Sequence, residues 1–175
     1  MADIYVFIEH FQGKVSDISY VCLAQAQSIA RSTGRRVVGV ILGSEIESIT
    51  KDLLADEILM VDHPTLADFV YDEYVSTLAS MIQDSKPEMV IFGDTSVGSD
   101  IAGGLSARLG IQLLSFCMEI RVEEGKPRFI SQICGGKIFV EGDFPEGISL
   151  VTMLPGKFKV SEGQAATSPK ITPYT

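Results

Sequence analysis

The residues best suited to chemistry in this sequence lie in a small, polar loop near its middle. The letters G-D-T-S-V-G-S, residues 93–99, follow a β-rich apolar run and precede a helical pattern. Glycines let a backbone approach a ligand closely, and hydroxyls beside the free N–H groups of a helix start can hold an anion. We therefore predict that five residues of this loop bind a cofactor: Gly93, Thr95, Ser96, Gly98 and Ser99.

Glu9 and His10 complete this predicted rim site. They follow the first apolar run, residues 4–8. In an open parallel sheet, ligands bind beyond the carboxyl ends of the strands, where the strand order reverses. The structural alternative is a tight turn in which Ser96 caps the helix and Glu9 accepts hydrogen bonds from backbone amides. Because no nucleophile stands beside His10, the sequence predicts no catalytic residue.

Three further features carry weaker signals. The loop matches neither a Walker A nor a G-x-G-x-x-G pattern, and Asp94 and Asp100 add negative charge where a phosphate would sit. The G-G-K at 135–137 would hold a phosphate or form a hairpin turn, and the turn is favoured. The G-G at 103–104, inside a helical pattern, predicts a close contact with another backbone, within the chain or at an interface.

Strands and helices alternate over the first two-thirds of the sequence. Apolar runs predict strands at 4–8, 37–42, 58–61 and 89–92. Helices are predicted from 17 to about 33, from 44 to 54, from 65 to about 86 and from about 97 to 109. Thr65 is the predicted cap of the third helix, and its apolar face is predicted to hold Phe69, Val70, Tyr74, Leu78 and Met81. This alternation indicates an α/β fold with three layers, in which helices cover both faces of a parallel sheet.

The pattern changes after residue 110. Turn signals come close together, and β-rich runs such as 129–133 and 148–154 predict hairpins added to the parallel sheet. From residue 161 the chain is rich in Ser, Thr, Gly, Ala and Pro, which predicts an arm with little structure of its own. We therefore predict one domain, residues 1–160, and a flexible C-terminal arm, residues 161–175.

Composition excludes several classes of function. The net charge is −9, from 23 acidic and 14 basic residues, which argues against nucleic acid or an anionic membrane as a partner. The three cysteines, Cys22, Cys117 and Cys134, form no C-x-x-C pair, so neither a zinc site nor a disulfide framework is predicted. With no signal-peptide pattern at the N-terminus, we expect a cytoplasmic protein. A mean hydropathy of +0.25 is high for an acidic chain and predicts apolar surface covered by another subunit.

Four motifs resemble the alpha subunits of electron-transfer flavoproteins. The opening I-Y-V-F-I-E-H, followed by G-K-V-S, is similar to the start of those subunits. Residues 93–110, G-D-T-S-V-G-S-D-I-A-G-G-L-S-A-R-L-G, resemble the family pattern G-A-T-x-x-G-R-D-L-A-P-R-x-A-A-R-L-G. The later C-G-G-K-I-F-V and T-M-L-P-G-K-F resemble its G-G-N-x-x-A and T-V-R-P-G-x-F segments. The motifs occur in the family's order and span nearly the whole chain.

The resemblance implies a fold of the adenine-nucleotide-hydrolase type, related to universal stress proteins. It also implies a beta-subunit partner and a role in passing electrons from dehydrogenases. In the family, a C-terminal domain mainly holds the FAD, and the motifs of that domain have no counterpart in this sequence. The resemblance therefore assigns no FAD site to any residue here, and we expect no cofactor held by this chain alone.

The sequence departs from the family pattern at three cationic positions. Ser99 replaces an arginine, the G-G at 103–104 replaces a Pro-Arg pair, and Leu154 replaces the arginine before the Pro-Gly. Loss of these cations weakens any contact with an anionic cofactor or an acidic partner surface. The arginines of the family could equally be structural ion pairs, and the sequence leaves both interpretations open.

Two functions follow from these observations. The first is a non-catalytic interaction and scaffold module of an electron-transfer flavoprotein system, which needs a separate flavin-binding part and pairs with a beta-like subunit or with itself. The alternative is a stand-alone module that binds AMP or another adenine nucleotide on the rim, like a universal stress protein. An enzyme is disfavoured because no acid–base pair, activated nucleophile or metal cluster is visible in the sequence.

Overall fold

The computed structural model describes residues 2–174, which form a sheet with helices on both faces. The helices are α1 (Asp17–Thr33), α2 (Tyr71–Ser85) and α3 (Ser96–Leu109). The strands are β1 (Ile4–Phe7), β2 (His10–Phe11), β3 (Lys14–Val15), β4 (Val37–Gly43), β5 (Glu57–Asp62), β6 (Met89–Gly93), β7 (Leu113–Glu123), β8 (Lys126–Ile133), β9 (Ile138–Asp143), β10 (Ser149–Met153) and β11 (Lys170–Pro173).

Nine of these strands form one sheet in the order β11-β5-β4-β1-β6-β10-β7-β8-β9. The pairs from β11 to β7 are parallel, and β7, β8 and β9 pair antiparallel as two successive hairpins. Strands β2 and β3 form a separate small ribbon. The predicted α/β class, with a mostly parallel sheet and hairpins in the C-terminal third, is confirmed.

The core has two halves, one on each face of the sheet. Successive side chains of a strand point to opposite faces, so Ile4 and Val6 of β1 pack with α1, whereas Tyr5 and Phe7 pack with α2 and α3. All four residues of β1 are buried, because helices cover both faces of a parallel strand. This arrangement explains why the strand sequences are continuous apolar runs.

Two predicted helices are shorter than expected. Residues 44–54 contain only a single 3₁₀ turn, Glu47–Ile49, and Leu53 forms a β-bridge with Gln164 instead of continuing a helix. The third predicted helix begins at Tyr71 rather than near Thr65, after a separate 3₁₀ turn, Pro64–Leu66. The predicted apolar face is therefore correct from residue 74 onward, but Phe69 and Val70 precede the helix and are exposed.

The C-terminal third differs from the expectation in two places. The run at 148–154 does not form a hairpin, because β10 inserts between β6 and β7 and pairs with both in parallel. The segment 161–175 was expected to have little structure of its own, yet Lys170–Pro173 form edge strand β11. This strand is stabilised by β5 and by hydrogen bonds from Lys170 and Thr172 to Glu57. The domain boundary at residue 160 stays a prediction.

Candidate functional site

The predicted rim residues meet at the point where the strand order reverses. From β1 the chain leads through α1 to β4 on one side, and from β5 it leads through α2 to β6 on the other side of β1. The residues that follow β1 and β6 therefore lie next to each other at the carboxyl edge of the sheet. In α/β folds this is the crevice in which ligands bind.

Glu9 lies between the starts of two helices in this crevice. Its Oε2 atom accepts a hydrogen bond from the Thr95 hydroxyl (2.6 Å), and its Oε1 atom accepts one from the Ser16 hydroxyl (3.3 Å). Ser16 precedes α1 and Thr95 precedes α3. A negative charge is stabilised near helix N-termini, so the Glu9 carboxylate supplies here the charge that a bound anion would otherwise bring.

Thr95 is the N-cap of α3, whereas the sequence predicted Ser96. The Thr95 Oγ1 atom accepts a hydrogen bond from the backbone N–H of Gly98 (2.9 Å) while its own hydroxyl proton goes to Glu9. Threonine reaches the Gly98 amide because it is three residues before it, the usual capping distance. Ser96 is the first residue of α3 and is exposed.

Ser99 and Asp94 form a second polar group beside the first. The Ser99 hydroxyl donates to Asp94 Oδ1 (3.1 Å), and Asp94 Oδ2 accepts from the Thr152 hydroxyl (2.9 Å) and from the backbone N–H of Phe116 (3.1 Å). Asp94, directly after β6, thus connects this strand with β10 and with the first half of β7. The sequence indicated only its unfavourable charge, because its partners come from strands whose order the sequence does not reveal.

Gly93 and Gly98 allow close packing within the chain. A Cβ atom on Gly98 would lie 2.1 Å from the carbonyl oxygen of Gly93, so α3 approaches the end of β6 too closely for any other residue. A Cβ atom on Gly93 would lie 2.6 Å from the side chain of Ile18 on α1. Both glycines are explained by these contacts, and their role in binding a cofactor stays a prediction.

His10 lies apart from the Glu9 group. Its Nε2 atom is 2.8 Å from the carbonyl oxygen of Leu42, at the end of β4, which makes Nε2 the protonated donor. Gly43 accommodates this ring, because a Cβ atom there would lie 2.9 Å from Nε2. His10 therefore faces the side of the crevice formed by β1 and β4, and Glu9 faces the side formed by β1 and β6.

The chemistry of the crevice does not favour a phosphate. The hydroxyls of Thr95 and Ser99 donate to carboxylates of the same chain, and two carboxylates, Glu9 and Asp94, lie at its centre. Across residues 2–174, no group of His, Cys, Asp or Glu side chains is arranged to hold a metal ion. Burial raises the pKa of the Cys22 thiol, and it raises that of Cys117 to about 11, so neither thiol is a ready nucleophile.

Comparison with known proteins places this fold in a family. Residues 4–175 match the electron transfer flavoprotein domain. The chain belongs to this family. It is 28% identical over 162 residues to the electron transfer flavoprotein subunit alpha of Bacillus subtilis, with 91% of this chain and 49% of the relative covered. It is 25% identical over 174 residues to the corresponding subunit of Megasphaera elsdenii, with 96% and 52% covered.

A third relative has a different name. The chain is 32% identical over 127 residues to the acryloyl-CoA reductase electron transfer subunit beta of Anaerotignum propionicum, with 71% of this chain and 35% of the relative covered. The chain thus spans about half the length, or less, of these three relatives. Among the described residues, no helix has both the length and the apolar character needed to cross a bilayer.

Proposed function

We propose that this chain is an alpha-type module of an electron-transfer flavoprotein that acts as a non-catalytic interaction and scaffold domain. The FAD of the assembled system would be held by a flavin-binding part other than residues 2–174. Membership of the family and similarity to alpha subunits support the electron-transfer role. The hydrogen bonds among Glu9, Thr95, Asp94 and Ser99 support a structural role for the crevice, because they use the donors that an anionic cofactor would need.

The observation that carries the scaffold role is an exposed apolar surface on the antiparallel hairpins. We call it the hairpin surface, and it consists of Phe116, Ile133, Ile138, Phe139 and Val140, which are between 38% and 61% exposed. Large apolar patches on an otherwise soluble domain mark interaction sites. The exposed apolar side chains of the hairpin surface therefore favour contact with a protein partner over contact with water.

The position of the hairpin surface also favours a partner. Strand β9 is the outermost strand of the sheet, so its outer edge has no neighbouring strand among the described residues. Ile138 and Val140 point to one face of β9 and Phe139 to the other, and all three are exposed. A strand with exposed apolar side chains on both faces and an open edge is a template for another chain. We assign this partner as a beta-type subunit of an electron-transfer flavoprotein.

The test is complex formation with a beta-type subunit from the same source. The two chains are mixed with FAD, and the mass of the complex and the flavin absorbance near 450 nm are followed by size-exclusion chromatography with light scattering. We expect Phe139→Asp to weaken the complex by about tenfold or more, since it replaces the most exposed ring of the hairpin surface by a charge. Phe11→Asp is the matched control, because Phe11 is an exposed phenylalanine outside the hairpin surface.

Each result of this experiment is decisive for a different part of the proposal. Failure of the unchanged chain to bind any beta-type subunit would contradict the assigned partner. Equal loss of binding in the two variants would contradict the assignment of the hairpin surface. A dimer of the chain alone that Phe139→Asp dissociates would assign the same surface to self-association instead.

A further inference from the structure

A cleft lined by aromatic side chains lies beyond the carboxyl ends of β1 and β4. It consists of two adjoining cavities of about 450 and 230 Å³, and the residues common to both are His10, Phe11, Phe69 and Tyr74. We call this feature the aromatic cleft. The larger cavity alone falls within the volume range of small-molecule sites. The larger cavity lies on the His10 side of the crevice, whereas Glu9 and Val97 line the smaller one. Neither Asp94 nor Ser99 lines either cavity.

Two rings of the aromatic cleft, Phe11 and Phe69, are exposed, and Phe69 is held against the buried ring of Tyr74. Phe11 is 72% exposed and Phe69 is 43% exposed, although burial of a phenylalanine is strongly favoured. The Phe69 ring packs edge-on against Tyr74, with ring centroids 5.0 Å apart. Tyr74 is fixed in turn, because its hydroxyl lies within hydrogen-bonding distance of the carbonyl oxygens of Leu42 (3.2 Å) and Leu66 (3.4 Å). The cleft therefore offers ordered aromatic surface to a ligand.

The charged groups of the aromatic cleft are all acidic. Glu45 and Asp68 line its larger cavity, and neither carboxylate is in an ion pair within residues 2–174. Glu45 has a left-handed backbone (φ 56°), which is held by a hydrogen bond from its N–H to Asp62 (2.9 Å). Of the described residues that line either cavity, none is Lys or Arg. An anionic ligand would thus be repelled.

We propose that the aromatic cleft binds a small organic cation with a substituted ammonium group. The negative faces of aromatic rings attract such cations, and nearby carboxylates strengthen the attraction when no protein cation competes. A substituted ammonium ion also has an apolar surface, which suits Phe11 and Phe69. The site is separate from the hairpin surface and does not depend on the proposed function. It also predicts that AMP binds less well than a cation of similar size.

The test compares a cation with its neutral isostere. Choline and 3,3-dimethyl-1-butanol have nearly the same shape, but only choline carries a charge. Each is titrated into the uniformly ¹⁵N-labelled chain while amide chemical shifts are followed by NMR. We expect choline to cause saturable shifts at residues 10, 11, 67, 68 and 69 and the alcohol to bind at least about fivefold more weakly. Choline should also bind more weakly when the ionic strength rises from about 0.02 M to about 0.5 M.

Substitutions distinguish this site from general attraction to an acidic protein. Phe69→Ala should weaken choline binding about threefold to fivefold, and Asp68→Asn should weaken it about threefold. Phe139→Ala and Glu124→Gln are the matched controls, since they remove an exposed ring and an exposed carboxylate far from the cleft, and they should have no effect. All four positions are exposed, so the amide spectra should show folded proteins.

Three results would overturn the proposal. The first is absence of saturable shifts in the cleft at about 50 mM choline, far above the millimolar range of weak sites. The second is equal affinity for choline and the alcohol, which would mean that the cleft recognises shape without charge. The third is an equal effect of Glu124→Gln and Asp68→Asn, which would assign the binding to the overall negative charge.

Discussion

Strands β10 and β9 belong to the same sheet but have opposite environments. All five residues of β10 are buried, with Leu150 facing α2 and α3 and Val151 facing α1. In β9, five of six residues are exposed, including Phe139 at 61%. Strand β10 lies between two parallel neighbours and under helices, whereas β9 pairs with a single strand, β8, within residues 2–174.

This difference indicates that β10 contributes to the stability of the fold, whereas β9 is available for interaction with a partner. The hydrophobic effect is roughly proportional to the apolar area removed from water. The buried strands therefore supply the driving force for folding, whereas the exposed apolar residues of β9 add little to the stability of the isolated chain. A partner that covers these residues would explain why apolar side chains that contribute little to folding lie at the surface. The parallel half and the hairpins should thus respond differently to the same substitution.

The largest expected effect comes from removing the same side chain in the two regions. Phe92 of β6 is fully buried and contacts the ring of Phe7, with centroids 5.7 Å apart. We expect Phe92→Ala to lower the free energy of unfolding by about 3–5 kcal/mol, because it leaves a cavity. Phe139→Ala should change it by no more than about 0.5 kcal/mol. Urea unfolding followed by circular dichroism measures both. A loss above about 1 kcal/mol for Phe139→Ala would mean that the hairpins belong to the folding core.

A smaller effect should follow from adding a methyl group at two positions of α3. Gly98→Ala would place the new Cβ atom 2.1 Å from a backbone carbonyl oxygen, which cannot move aside easily. We expect a loss of about 1–3 kcal/mol in the free energy of unfolding. At Gly103, no atom of the described residues outside the adjoining helix backbone lies within 4 Å of the new Cβ. Gly103→Ala should therefore raise the free energy of unfolding by up to about 1 kcal/mol through helix propensity.

The two variants are controls for each other, since each replaces a glycine of α3 by alanine. Thermal unfolding of both variants under the same conditions measures the two changes in stability. If Gly98→Ala were as stable as the unchanged chain, the close contact between α3 and β6 would not be a constraint on this fold. Ligand binding, as predicted from the sequence, would then be the better explanation for a glycine at position 98.

The sequence predicted the structure correctly where the local residue pattern matches the environment that the fold provides. The apolar run at the start predicted β1, and Gly34, which ends α1 with a left-handed backbone (φ 69°), was predicted as a residue beyond the helix. The G-G-K at 135–137 was correctly assigned to the turn between β8 and β9. The close contact predicted for the G-G at 103–104 occurs only at Gly104, and it is with the Tyr71 side chain rather than with a backbone.

Sequence reasoning failed where distant parts of the chain decide the structure. The run at 148–154 is mostly apolar, which is typical of a buried parallel strand, but nearby turn signals favoured a hairpin. Its place between β6 and β7 depends on strand order. The rim residues were placed correctly at the carboxyl edge, but their bonds to one another could not be foreseen. The aromatic cleft was missed because Phe69 was assigned to a buried helical face.

The smallest expected effect concerns the opposite edge of the sheet, where β11 covers β5. Glu57 of β5 accepts hydrogen bonds from Lys170 and Thr172 of β11 and from Arg36. The bond from Lys170, followed by that from Thr172, lowers the pKa of Glu57 to about 2. The pairing of β11 with β5 is thus stabilised by charge, whereas β9 carries exposed apolar side chains on both faces. The comparison predicts that the β11 edge depends on pH and the β9 edge does not.

The direction of the pH effect follows from the pKa. Because the folded carboxylate has a pKa near 2 and the unfolded one a value near 4.5, its stabilisation is complete above about pH 4.5 and is lost as the pH falls toward 2. We expect Glu57→Gln to lower the free energy of unfolding by about 1 kcal/mol at pH 7, a modest loss because the cationic partners are largely exposed. Denaturant titrations at pH 7, 4 and 3 should show this difference shrink. A difference that stays constant over this range would mean that Glu57 stabilises β11 by packing rather than by charge.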